Sequence, residues 1–115
     1  MAFEAMFQPI QIGKLTIRNR VLSTAHAEVY ATDGGMTTDR YVKYYEEKAK
    51  GGIGLAICGG SSVVAIDSPQ EWWSSVNLST DRIIPHFQNL ADAMHKHGAK
   101  IMIHVQPSSQ VRATG

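Results

Sequence analysis

The chain has 115 residues, of which 43% are hydrophobic and 18% charged, with a formal net charge of +1. That length accommodates one small domain and not two, and the composition excludes whole-chain disorder. The near-neutral charge, with no basic patch or charge block, gives no basis for nucleic acid or an anionic membrane as a partner.

Residues 1–8 lack a basic segment followed by an apolar one, so no signal peptide is expected. Ile10 to Ile17 reads IQIGKLTI, with apolar residues alternating around Gly13-Lys14. That pattern predicts a short hairpin closed by a tight turn. Arg20 to Thr24 carries Val21 and Leu22 and is expected to form a short buried strand. Ala25 to Met36 is loop-like and contains Asp33-Gly34-Gly35. A helix is expected from Thr37-Thr38-Asp39, whose side chains can accept hydrogen bonds from the free N–H groups of a first turn. Tyr41, Tyr44, Tyr45 and Ala49 form its apolar stripe. Glu46, Glu47, Lys48 and Lys50 form its wet face, and Gly51-Gly52 ends it.

Ile53 to Cys58 is a continuous apolar run, as in a strand covered on both faces. Gly59-Gly60 stands at its C-terminal end. The single cysteine, Cys58, excludes an internal disulfide and suits a reducing, cytoplasmic compartment. It reads as a small core residue rather than a redox thiol. Ser61 to Ser79 is a long connection holding Pro69, Trp72 and Trp73, the tryptophans expected to pack over the loop. A second helix is expected from Thr80-Asp81, with Ile83, Ile84, Phe87, Leu90, Ala91 and Met94 on its buried face. Pro85 is tolerable in its first turn, and Gly98 is a suitable C-cap. Ile101, Met102, Ile103 and Val105 predict a third strand. No apolar stretch approaches the roughly 20 residues of a membrane-spanning helix.

Consecutive strand–helix–strand units imply parallel strands. An open doubly wound sheet and a (β/α)8 barrel both accept this order. Two helices on one side leave the middle strand's other face uncovered, although the sequence makes it apolar. The rest of a barrel, or a partner chain, must cover it. A barrel takes about 250 residues. The expectation is therefore α/β: a hairpin and about three strands, the N-terminal part of a TIM barrel, as one partial domain over 1–115. Ligands bind at the C-terminal strand ends in both architectures. Three segments meet there: Thr24-Ala25-His26-Ala27, Gly59-Gly60 and His104-Val105-Gln106.

Phe7-Gln8-Pro9-Ile10 with Ile12-Gly13, then Ile17-Arg18-Asn19-Arg20-Val21, Gly51-Gly52-Ile53-Gly54-Leu55 and His97-Gly98-Ala99-Lys100-Ile101 form an ordered set. That set resembles the N-terminal part of the old yellow enzyme family of flavin-dependent oxidoreductases. It is most similar to the branch with trimethylamine dehydrogenase and dienoyl-CoA reductase. Thr24 to Glu28 and Asp33-Gly34-Gly35 resemble a subgroup acting on N-methylated amino acids, the N-methylproline demethylase type. The resemblance implies a barrel holding FMN at its C-terminal mouth, with NAD(P)H as an electron donor and a small-molecule substrate. It implies that the backbone of Thr24, Ala25, His26 and Ala27 packs on the flavin, with Gly60 near the ring and His104 at its pyrimidine edge.

Four departures accompany the likeness. Ala25 stands where the family usually has proline. Ala27 occupies a position where some members attach the flavin through cysteine, so the cofactor here is expected to be non-covalent. His104 replaces a glutamine of longer reach. The family's histidine, glycine and arginine after that strand are missing from His104 to Gln110, which marks residues 107–115 as a divergent tail.

His86, His95 and His97 are expected on the surface, and no metal site is expected. Gly51-Gly52-Ile53-Gly54 precedes a strand rather than opening a helix, so it is not a nucleotide fingerprint. The resemblance implies an FMN-dependent oxidoreductase that demethylates an N-methylated amino acid or reduces an enone. Its catalytic groups would lie on later strands, leaving this segment inactive by itself. Two other readings stand beside it: a flavin-free half-barrel that associates with itself, and a small-molecule binding module built on the strand-end glycines.

Overall fold

The computed structural model describes residues 2–59, 62, 64 and 75–105. A short 3-10 turn at Glu4–Phe7 leads into two antiparallel strands, β1 (Ile10–Ile12) and β2 (Leu15–Ile17). Gly13 takes the positive φ of 58° that the connecting turn requires. Across the hairpin Ile10 faces Ile17 and Ile12 faces Leu15. The second sheet is parallel and three-stranded, in the order β3 (Leu22–Ser23), β4 (Leu55–Cys58), β5 (Lys100–Ile103). Helix α1 (Asp39–Lys50) connects β3 to β4, and α2 (Ile84–His95) precedes β5.

Local chemistry sets the helix ends. The Thr38 hydroxyl accepts from Tyr41 N at 3.1 Å, capping α1 as its sequence predicts. It also donates to Tyr30 O at 2.6 Å, tying the preceding loop to the cap. Gly52, at φ 105°, turns the chain out of α1. Ahead of α2 the chain first makes a 3-10 turn, Asp81–Ile83, in which Thr80 gives no side-chain cap. Pro85 sits in the first turn of α2, where its missing N–H has no partner to lose.

Side-chain alternation along the parallel strands divides the sheet into two faces. Ala56 and Cys58 of β4, with Ile101 and Ile103 of β5, face Tyr41, Tyr45 and Ala49 of α1 and Leu90 and Met94 of α2. That layer is the core. Leu22, paired with Leu55, and Ile57, paired with Met102, lie on the other face. The hairpin covers only its N-terminal end, where Ile10, Ile12, Ile17, Val21, Leu22 and Leu55 line a cleft of about 100 Å³.

This division corrects several expectations. Leu22 was expected buried but is 49% exposed, because it points to the face no helix covers. Ile84 was expected in the core and is exposed. The 3-10 turn places Ile83 inward, and the following residue rotates away. Val105 was assigned to the third strand but lies beyond it and is exposed. Glu46 and Lys48, expected on a wet face, are both half-buried. Lys48 donates to Ser23 Oγ at 2.8 Å and lies over the Tyr44 ring, at 4.6 Å from its centroid. Trp72, Trp73 and the 107–115 tail fall outside the described residues.

The Arg18-Asn19 pair explains itself structurally. Arg18 Nε donates to Ile53 O at 3.1 Å, and Nη2 to Ile53 O at 2.8 Å and Ala49 O at 2.9 Å. Its Nη1 donates to His97 O. One guanidinium thus gathers carbonyls from the ends of both helices, where the helix dipoles are negative. Asn19 donates from Nδ2 to Gly52 O at 2.7 Å and accepts from Val21 N at 3.1 Å. Gly54 has to be glycine here, since a Cβ would lie 2.7 Å from Asn19 Oδ1 and from Ile17 Cγ2.

Candidate functional site

The C-terminal ends of β3, β4 and β5 converge. His104 N donates to Cys58 O at 2.7 Å, carrying the ladder one residue past β5. Ser62 Oγ donates to His104 O at 3.2 Å. Gly59 takes φ 80°, and a Cβ there would come within 3.1 Å of Ser62 Oγ. A side-chain oxygen thus lies tight against the Gly59 backbone at this end of the sheet. Gly60 lies outside the described residues.

Thr24, Ala25, His26 and Ala27 run from the end of β3 without regular structure. Thr24, His26 and Ala27 are exposed, and Ala25 is half-buried. The N–H groups of Ala25, His26 and Ala27 donate to no backbone carbonyl among the described residues. Such a segment presents donors to a flat heteroaromatic ring. The His26 imidazole is directed elsewhere: Nε2 lies 2.7 Å from the Tyr44 hydroxyl on α1, and Nδ1 lies 3.4 Å from Thr24 O. A tautomer with the proton on Nδ1 satisfies both, with Tyr44 donating to Nε2. His26 thereby anchors the segment to α1 and leaves its backbone to face a ligand.

His104 Nδ1 is buried and has no hydrogen-bond partner among the described residues. A buried imidazole nitrogen without a partner is costly. It is a group that a ligand's ring edge can satisfy. The exposed backbone of 24–27, the tight glycine turn at 59 and this unpaired nitrogen together fit a flavin at the strand ends.

One neighbouring group was not singled out from the sequence. Glu28 directly follows the 24–27 segment, and its Oε1 is buried. Burial is the largest influence on its carboxyl and pushes its pKa above the usual carboxylate range. Hydrogen bonding to its own backbone, the nearby His26 charge and the Tyr41 hydroxyl oppose the shift. Tyr41, also buried, has its phenol pushed up by burial and by the Cys58 and Glu28 charges. Burial, then the Glu28 charge, pushes the Cys58 thiol up to about 12. This agrees with a core role for Cys58 and not with a reactive thiolate. In the sequence Glu28 stands out only as the end of the Thr24 to Glu28 segment, since nothing local distinguishes a buried loop glutamate from a wet one.

The remaining histidines divide. His95 is exposed and His86 half-buried. His97 departs from the surface expectation: its Nε2 lies 2.9 Å from Glu46 Oε1, with both side chains largely covered. The turn after α2 folds back on α1, bringing together two residues distant in sequence. That bond is the main reason the Glu46 carboxyl titrates below its ordinary range. No helix among the described residues is long and apolar enough to cross a membrane.

The chain is 83% identical over 105 residues to the N,N-dimethylglycine/sarcosine dehydrogenase of Chromohalobacter salexigens, a match covering 91% of this chain and 15% of that protein. It is 39% identical over 103 residues to a probable N-methylproline demethylase of Rhizobium meliloti, covering 90% of this chain and 15% of that protein. The chain therefore spans about 15% of the length of these curated relatives. The structure of the old yellow enzyme from Trypanosoma cruzi superposes with a TM-score of 0.78 at 26% identity, over 90% of this chain and 27% of that one. The fold is accordingly the N-terminal part of a TIM barrel. The model of the NADH:flavin oxidoreductase / NADH oxidase family matches residues 5–111, and the chain belongs to that family.

Proposed function

We propose that this chain forms the opening strands of an FMN-holding barrel whose enzyme oxidatively demethylates an N-methylated amino acid. The observation that carries the reading is the 83% identity to a dimethylglycine/sarcosine dehydrogenase across 91% of the chain. The site geometry supports it independently. The backbone of Thr24, Ala25, His26 and Ala27 would face the flavin ring, Gly59 and Gly60 would admit it close to β4, and His104 Nδ1 would meet its pyrimidine edge. Ala27 offers no thiol, so attachment would be non-covalent. When bound, FMN supplies hydride acceptance, the chemistry that oxidises an N-methyl group; NAD(P)H-driven reduction of an activated alkene would use the same cofactor in reverse. This chain's own residues bind and orient. Among the described residues none is assigned a proton-transfer role.

The flavin-free alternative, a self-associating half-barrel, draws on one observation: Leu22 and Met102 are 49% and 41% exposed on one sheet face. A row of exposed apolar side chains beside open strand edges invites association.

Titrating the purified chain with FMN while following flavin fluorescence, alongside solution mass, separates the two. Saturable quenching supports the flavin reading. Its absence at high micromolar protein, together with a stable oligomer, would favour the half-barrel.

A further inference from the structure

Glu28 is a buried carboxyl for which binding a flavin ring has no direct use. It leaves the loop after β3 and reaches the end of β4, where the Gly59 N–H faces it, and α1, where the Tyr41 hydroxyl does. Oε1 and the Tyr41 hydroxyl are both buried and make no well-formed hydrogen bond among the described residues. Three elements thus meet at one carboxyl. The next residue supplies an independent observation: Val29 sits at φ 58°, in the left-handed region that a β-branched side chain avoids. Such strain persists only where the surroundings over-determine the backbone, and it concentrates at functional loops.

We propose that Glu28 is a positioning residue that clamps the Thr24-Ala25-His26-Ala27 segment against the C-terminal end of β4 and so sets where that backbone meets a ring. The role rests on the flavin reading of that segment, but the clamp itself does not need a flavin. The titratable groups acting on Glu28 are His26 from its own loop, Tyr41 from α1 and Cys58 from β4. The Tyr41 and Cys58 groups are pushed up by burial and keep their protons near neutral pH. The Gly59 N–H and the Tyr41 hydroxyl act on the carboxylate as donors and oppose the shift that burial imposes. Glutamine keeps the shape and a carbonyl oxygen that can accept from those donors.

The test compares wild type, Glu28→Gln, Glu28→Asp and Glu28→Ala by amide hydrogen exchange at residues 25–29 and Gly59 without flavin, corrected for intrinsic rates, at a single pH. FMN affinity is measured in parallel. Glu28→Gln should keep most of the wild-type protection. Glu28→Ala should lose about tenfold in protection there, with Gly54 unaffected, and a similar factor in FMN affinity. If the alanine variant fails to fold, Glu28→Asp, one methylene shorter, should show the same loss. An alanine or aspartate variant with wild-type loop protection, or a glutamine variant that loses as much as alanine, overturns the clamp. Wild type that binds no FMN overturns the flavin reading instead, and the exchange data still judge Glu28.

Discussion

The two ends of the three-stranded sheet are built on opposite terms. At the N-terminal end Arg18 and Asn19 spend their polar atoms on the carbonyls of Ala49, Gly52, Ile53 and His97 and on Val21 N. At the C-terminal end Glu28, Tyr41 and His104 keep buried atoms without well-formed partners among the described residues, and Val29 holds a strained backbone. Barrels divide their labour in this way, with stability at the bottom and ligand chemistry at the top. The contrast teaches where substitutions should cost stability and where they should cost only binding.

Arg18→Ala should break the comparison most severely. It strips several carbonyls at two helix ends of a charged donor, and a loss of about 3 kcal/mol or more is expected in urea unfolding. Arg18→Lys should recover only part, because an ammonium lacks the planar fork. At the opposite end, His104→Ala should weaken FMN binding about tenfold by fluorescence titration while leaving stability within about 0.5 kcal/mol, since Nδ1 has no partner among the described residues to lose. A stability loss as large as that of Arg18→Ala would erase the distinction between the two ends. Tyr41→Phe removes a buried hydroxyl without a well-formed partner among the described residues and should be neutral or stabilising by up to about 1 kcal/mol in thermal unfolding. The smallest effect belongs to the Glu46–His97 pair. The depressed Glu46 carboxyl contributes stability that is present above its ordinary value of 4.5 and lost as pH falls through the depressed one. Glu46→Gln should flatten the acid limb of the stability profile, and an unchanged limb would show that the pair contributes nothing.

Much of the architecture was legible in the chain because its signals are local. Gly13-Lys14 between alternating apolar residues specified the hairpin, Thr38 and Gly51-Gly52 bounded α1, and the Ile53–Cys58 run marked a strand, which the structure forms over Leu55–Cys58. The segment from Thr24 to Ala27 and His104 were identified by family likeness, and the structure brings them to one end of one sheet. Gly60 lies outside the described residues, so its place there is not seen.

What the sequence could not supply depends on which faces meet. Glu46 and His97 look like two wet residues until the turn after α2 folds onto α1. Nothing in the sequence pairs His26 with Tyr44, eighteen residues away, until α1 packs beside the loop after β3. Leu22 has the composition of a core residue, yet its side chain points to the face the helices do not cover. Periodicity and capping chemistry act over a few neighbouring residues and so determined the elements, whereas burial of Glu28, the pairing of Arg18 and the unpartnered Nδ1 of His104 arise from contacts across the fold, which only the tertiary structure decided.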